Sequence, residues 1–366
     1  MANPDVSALA AYAGQYEQGL FSTMVNGLEV GQDIRVIQNV KHKLNMTKLK
    51  ATPGAKPFTS SEEYAGSLTY SPRVLDVSPG KVEMLIDVEE YRSTWMSEQL
   101  SPGSHANKKE VPFAQYVWEQ VMMELASEIN DKTAFFGIDK SDATAFAAGS
   151  TYTAGDYITY TDNNGINSYY ECLSNTSAGE DPEDTPAKWK KIDAEAIAQG
   201  FAKIIADEIT ASNLTATATG VIDNTSGQEA YAAQLKLFRS QATAYKKMVN
   251  TIFQSYTDYE LLLDDLQTTL QYTLSDIESL NAPGGGIYLP YTNRRCIAKP
   301  ASWMGDSRRL VCTPSQNLIM GTDLLSDMNQ IEVLEGAKLW TLPVGIKFVV
   351  GFQIRDLDAL KVGDQT

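Results

Sequence analysis

Near the end of the chain, Ile346, Phe348, Val350, Phe352 and Ile354 alternate with Gly345, Lys347, Val349, Gly351, Gln353 and Arg355. This period of two predicts a strand with one face buried, closing the protein within 342–360. A helical period governs 112–136, where Trp118, Met122, Leu125 and Ile129 form a stripe widened by Val117, Val121 and Ala126. Pro112 opens this long helix, since its missing N–H has no intrahelical partner in the first turn. Further helices are expected at 194–211, with Ile197, Phe201, Ile204 and Ile205 inward, and at 226–248. In the latter, Ser226-x-x-Glu229 is a capping-box pattern and Tyr231, Leu235, Phe238 and Tyr245 make the stripe. Residues 251–255 read as a short buried strand, and Thr257-x-x-Glu260 is expected to cap a helix through Leu270. The loop Pro283-Gly-Gly-Gly286 then leads to strands at 286–289 and 296–298.

The N-terminal third is patterned differently. From 9 to 49, Tyr12, Tyr16, Leu20 and Met24 recur at helix-like spacing but Gly14, Gly19, Gly27 and Gly31 interrupt them, which predicts an arm rather than a core helix. Between 52 and 109, Arg73-Val-Leu-Asp-Val77, a Ser78-Pro-Gly-Lys81 turn and the alternating Val82, Met84, Ile86 and Val88 predict a hairpin. Breaker-rich segments bracket it, so it is expected to project. Residues 137–193 are rich in Thr, Tyr, Asp, Asn and Gly and read as an inserted small β domain. The order makes an α+β chain: arm 1–50, extended hairpin 51–110, long helix 111–136, insertion 137–193, and an α+β unit 194–366.

Composition narrows the function. With 43% hydrophobic and 21% charged residues over 366 positions, the chain folds rather than staying disordered. A formal charge of −16 and a pI near 4.6 argue against a surface that grips a phosphate backbone, which needs clustered Lys and Arg. Cys172, Cys296 and Cys312 are too few and too scattered for a disulfide framework or zinc site and read as buried thiols in a reducing compartment. The start Met-Ala-Asn-Pro-Asp-Val lacks a signal-peptide pattern, and no apolar run nears the ~20 residues that span a bilayer. Synthesis in the cytoplasm, with no membrane partner, is the expectation.

Three segments carry a resemblance. Ile252-Phe-Gln-Ser255 leads into Tyr259-Glu-Leu-Leu-Leu, Pro314-Ser-Gln-Asn-Leu-Ile-Met-Gly-Thr-Asp323 follows, and Val350-Gly-Phe-Gln-Ile354 closes the set. Together with the element order, they resemble the axial domain of tailed-bacteriophage major capsid proteins of the HK97-like fold. The resemblance covers everything except 137–193. It implies an N-terminal arm, an extended hairpin loop, a spine helix in a peripheral domain, and an axial domain that 194–366 builds with returning peripheral strands. It implies further a virion subunit, assembled in the host bacterial cytoplasm, that self-associates into hexamers and pentamers around double-stranded DNA. The partners would be other copies of itself and portal, scaffold or decoration proteins, with no cofactor. No Lys–Asn pair matches a cross-linking position, and no removable scaffolding segment is evident before the arm.

Within 137–193, Tyr152-x-Ala-Gly-Asp156-Tyr157-Ile-x-Tyr160, Tyr169-Tyr170-Glu-Cys172 and Thr185-Pro-x-Lys-Trp189 resemble a small chitin-binding-type carbohydrate-binding module. The resemblance implies Tyr152, Tyr157, Tyr160, Tyr169, Tyr170 and Trp189 as glycan-contacting residues, because flat apolar rings stack on sugar C–H faces. The competing reading makes these rings the core of a very small domain.

No catalytic or metal site is expected. His42 and His105 fall in arm or loop without a positioned partner. Of the acid clusters, Asp264-Asp265 and Glu89-Glu90 read as solvated faces, and Glu180 to Asp184 lacks EF-hand spacing. The readings left open are a phage shell subunit, an encapsulin-like compartment of the same fold, and a carbohydrate-binding protein.

Overall fold

The computed structural model describes residues 20, 27–52, 55–58, 66–87, 113–225, 229–323, 330–333 and 341–365. Tyr12, Tyr16, Met24, segment 88–112 with Val88, Glu89, Glu90 and His105, and Ser226 of the capping-box pattern lie outside them.

A short helix Glu29–Asp33 precedes strands β1 (Arg35–Ile37), β2 (Lys43–Thr52), β3 (Ser67–Asp76) and β4 (Ser78–Asp87), and the helix Phe113–Glu128 follows. Strands β5 (Thr144–Ala145), β6 (Tyr157–Thr161), β7 (Asn167–Cys172) and β8 (Trp189–Lys191) form a separate four-stranded sheet. After helix Phe201–Thr210 come β9 (Thr217–Ala218), helix Glu229–Ser240, β10 (Asn250–Gln254) and helix Tyr256–Thr268. The chain ends through β11 (Ile287–Tyr288), β12 (Cys296–Pro300), β13 (Leu310–Thr313), β14 (Leu318–Thr322), β15 (Gln330–Val333), β16 (Thr341–Ile354) and β17 (Lys361–Asp364).

Two sheets make the body. One is six-stranded, in the order β11-β12-β10-β13-β17-β9; the other joins β1, β14, β16, β15 and β4. In the first, the face carrying Ile252, Cys312 and Ala298 packs on the helices through Leu237, Leu262 and Leu266. Its opposite face turns Phe253, Val311 and Val362 into the main core, where they meet Phe348, Val350, Phe352 and Ile354 of β16. Trp303 sits at this junction at 0% exposure. Its ring centroid lies 5.3 Å from Phe253, 5.7 Å from Phe201 and 6.0 Å from Phe135. The indole N–H donates to Asp33 Oδ2 at 2.9 Å, so the short N-terminal helix is tied to the same point. Trp118, Met122, Leu125 and Ile129 are all buried, as their spacing predicts.

The alternation of β16 is correct but incomplete. Val349 and Gly351 are buried as well, because Leu75 of β3 and Val77, which links β3 to β4, cover the opposite face. A Cβ on Gly351 would stand 2.2 Å from the Asp76 carbonyl oxygen, so only glycine lets the two backbones approach this closely. β16 is also not the final strand: β17 follows and belongs to the six-stranded sheet.

Other boundaries shift for identifiable reasons. The expected Ser78-Pro-Gly-Lys81 turn is strand, with Gly80 paired to Phe348 and Pro79 to Val349 on β16. Gly80 is there because the Phe348 ring occupies the space a side chain would need, 2.5 Å from an added Cβ. The hairpin is instead β2 with β3, ten pairs from Lys43↔Asp76 to Thr52↔Ser67, and it takes in part of the segment read as arm. The helix expected from 194 starts at Phe201, because residues 192–200 are held against 134–138: Ile138 N donates to Glu195 O (2.7 Å) and Gly200 N to Gly137 O (2.7 Å). The helix from Glu229 breaks at Gln241, whose amide donates to Ala359 O at 2.7 Å, and Tyr245 falls in a separate short turn of helix. Ser255, not Thr257, caps the next helix, its hydroxyl accepting from Asp258 N.

Gly351→Ala is expected to cost about 2 kcal/mol, the typical penalty of overpacking a filled site. Chemical denaturation of the parent and variant would measure it, and an unchanged midpoint would refute the close approach.

Candidate assembly surface

The β2–β3 hairpin presents two unlike faces, because side chains alternate along each strand. Inward on β2 lie Leu44, Met46 and Lys48; inward on β3 lie Arg73 and Leu75. The outward face carries the pairs Leu49↔Tyr70 and Ala51↔Leu68, with Val74 opposite Asn45. Leu49, Leu68, Tyr70 and Val74 are 63%, 67%, 58% and 40% exposed. A two-stranded ribbon with a run of apolar side chains in water is marginal on its own. An exposed apolar stripe of this kind makes the outward face of the ribbon a candidate docking surface.

Beside the apolar contacts of Met46 and Leu75 with Ile319 and Val349, two polar anchors hold the ribbon to the body. The Lys48 ammonium donates to Asp356 Oδ1 and, at 2.7 Å, to Asp358 Oδ2; the Tyr245 hydroxyl donates to Asp356 Oδ2 at 2.7 Å. Burial works against the Lys48 charge, yet hydrogen bonds to both carboxylates more than offset it and raise its pKa. Burial also opposes the Asp356 charge, and the bonds from Lys48 and Tyr245 hold that carboxyl below its ordinary value. Arg73 makes a second anchor, bonding Glu208 at 2.8 Å and Gln353 Oε1 at 2.9 Å. Neither anchor was visible in sequence. The one signal for Lys48 is its position in register with Leu44 and Met46 on the inward face.

The six aromatic residues expected to contact glycan do not form one platform. Tyr152 and Trp189 are buried in the core of the four-stranded sheet, and the Tyr152 ring face stacks on Phe146 at 5.6 Å. The Trp189 N–H donates to Glu180 O at 3.2 Å. Tyr160 and Tyr170 lie partly exposed on the same side, edge to face at 6.2 Å, and the Tyr160 hydroxyl donates to Glu183. Tyr157 and Tyr169 point the other way, packing on Ile138, Ile192 and Ala196 where the sheet joins the body. A 690 Å³ cleft lies alongside, lined by Tyr169, Asp193, Ile197, Pro79 and Ile346 among others.

The remaining candidates resolve into structural roles. Asp264 is exposed, but Asp265 is buried rather than on a solvated face, since it accepts from Tyr231 N at 3.0 Å at the start of another helix. Glu180 pairs with Lys188 at 2.6 Å, and Asp181 accepts from Asp184 N at 2.7 Å. Asn317 of the Pro314 to Asp323 segment donates to Asp356 O and accepts from Asp356 N, both at 2.8 Å. The three cysteines are buried free thiols. Among the described residues no cluster could hold a metal, and no helix is long and apolar enough to cross a membrane.

Comparison with known proteins bears on the fold. No protein-family model and no curated protein matches the sequence. Among solved structures, a chain of the satellite phage P4 procapsid, which includes the size determination (Sid) protein, matches with a TM-score of 0.52. The two are 12% identical over 95% of this chain and 90% of that chain. The capsid of Myoviridae phage XM1 matches at a TM-score of 0.49 and 12% identity, over 92% and 90%. The α+β fold of this chain is therefore that of the P4 procapsid chain.

Replacing Lys48 with Met is expected to destabilise the protein by about 2 kcal/mol, by leaving the Asp356 carboxylate without its cation. Because Asp356 titrates lower folded than unfolded, its contribution is complete above the ordinary carboxylate pKa and is lost as pH falls through the depressed one. The gap between parent and variant in thermal melts should therefore narrow in acid, and a gap that widens would contradict the pairing.

Proposed function

We propose that this chain is the structural subunit of an icosahedral phage head, self-assembling through hexamers and pentamers around double-stranded DNA. The observation that carries this reading is the fold shared with the P4 procapsid chain along nearly the whole length of both. Supporting it is the β2–β3 hairpin, whose outward stripe finds nothing to pack on within the described residues.

In this reading the hairpin is the extended loop of an HK97-like subunit, Phe113–Glu128 is the spine helix, and the six-stranded sheet with its helices is the axial domain. The four-stranded sheet is the inserted domain. The hairpin lies over an adjacent copy and buries there the surface one subunit cannot cover alone. The excess of acids keeps the inner wall from gripping packaged DNA. The protein acts without catalysis, and the virion is its place.

The test uses the outward face only. Leu49→Asp with Tyr70→Asp should leave the subunit as stable as the parent, since both side chains are exposed, yet abolish shells in negative-stain electron microscopy. Normal shells from this variant would refute the role given to the hairpin, and a parent that forms none would refute the capsid reading.

A further inference from the structure

Charge is segregated within the six-stranded sheet and its helices. Residues 248–293 contain no Lys or Arg but six acids: Asp258, Glu260, Asp264, Asp265, Asp276 and Glu278. Immediately before and after this span stand Lys246-Lys247 and Arg294-Arg295. The parallel pairing of β10 with β12 sets Asn250 opposite Cys296, which brings the two cation pairs to the same end of the sheet. They touch there: Arg295 Nη1 donates to Lys247 O at 2.8 Å, and Asn250 N donates to Arg295 O at 2.9 Å. Among the described residues none of the four cations forms an ion pair, whereas Lys299, Arg308 and Arg309 nearby each do.

The tip is also tightly turned. Tyr291, Asn293 and Arg294 all have positive φ (59°, 53° and 57°), and the Thr292 hydroxyl donates to Leu289 O at 2.6 Å. Left-handed backbone at non-glycine residues costs on the order of 1 kcal/mol each and concentrates where a surface has a task. The loop displays Tyr291 at 81% exposure and sets the Arg294 guanidinium 5.7 Å from the Tyr288 ring centroid.

We infer that this basic tip docks on an adjacent copy at Glu260 and Asp264, which stand one turn apart on the helix Tyr256–Thr268. Both acids are exposed. The inference rests on the shell reading and supplies it with a contact. Two different patches on one chain make a head-to-tail interface, the kind that closes into rings. The same acids, on a helix of the same sheet, repel a polyanion, which favours a protein partner over nucleic acid.

The test uses the full chain. Lys247→Glu with Arg294→Glu, and separately Lys246→Glu with Lys247→Glu, should raise the protein concentration needed for assembly by about tenfold or more, measured by sedimentation velocity. Glu260→Lys with Asp264→Lys should do the same, and combining it with the first pair should restore assembly. Circular dichroism checks that each variant folds. Variants that assemble at the parent's threshold would overturn this contact while leaving the shell reading intact; a parent that stays monomeric would overturn both. Loss of binding to a fluorescent oligonucleotide with assembly unchanged would assign the tip to nucleic acid and also overturn the inference.

Discussion

The indole of Trp303 is the point on which the two sheets depend. It fills the space where Phe253 of one sheet, Phe201 beside Phe352 of the other, and Phe135 beyond the long helix converge. An aromatic ring of that size contributes both buried area and edge-to-face contacts, which fix angles as well as distances. Its one polar atom is satisfied by Asp33, so the N-terminal segment is registered against the core by the same residue. From this junction β16 runs outward, buried on both faces from Phe348 to Phe352, and the hairpin is laid across it.

Local periodicity made much of this readable. The stripe of Trp118, Met122, Leu125 and Ile129 announces a helix because every third or fourth position meets one core. Ile346 to Ile354 announces a strand because every second position does. Where the sequence misled, the cause was non-local. Pro79-Gly80 carries the chemistry of a turn, but its glycine is required by the Phe348 ring, more than 250 positions away in the chain. Lys48 and Asp356 are 308 positions apart and neither stands in a motif, so nothing in the spacing joins them. Trp303 follows no repeat and lies on a single turn of tight helix, where periodicity gives no signal.

The aromatic residues of the four-stranded sheet show how one pattern serves two ends. Tyrosines and a tryptophan at strand spacing suit a sugar platform and equally a core with few aliphatics. Burial sorts the six rings: Tyr152 and Trp189 lie in the core, Tyr157 and Tyr169 pack where the sheet joins the body, and Tyr160 and Tyr170 stay partly exposed. Polar groups around them brace the loops: Glu180 pairs with Lys188, Glu183 accepts from Asn163, and Asp181 accepts from Asp184 N.

The hydrogen bonds between 137–138 and 195–200 have a topological consequence. The chain leaves the body and returns to it at adjacent backbone positions, so from the body's side the whole four-stranded sheet has almost no length. Closing so short a gap imposes little on the surrounding fold, whatever the excursion contains. The body is thus indifferent to what hangs from that point, and a lineage can exchange the appendage, with whatever surface it carries, without redesigning the two sheets beneath it.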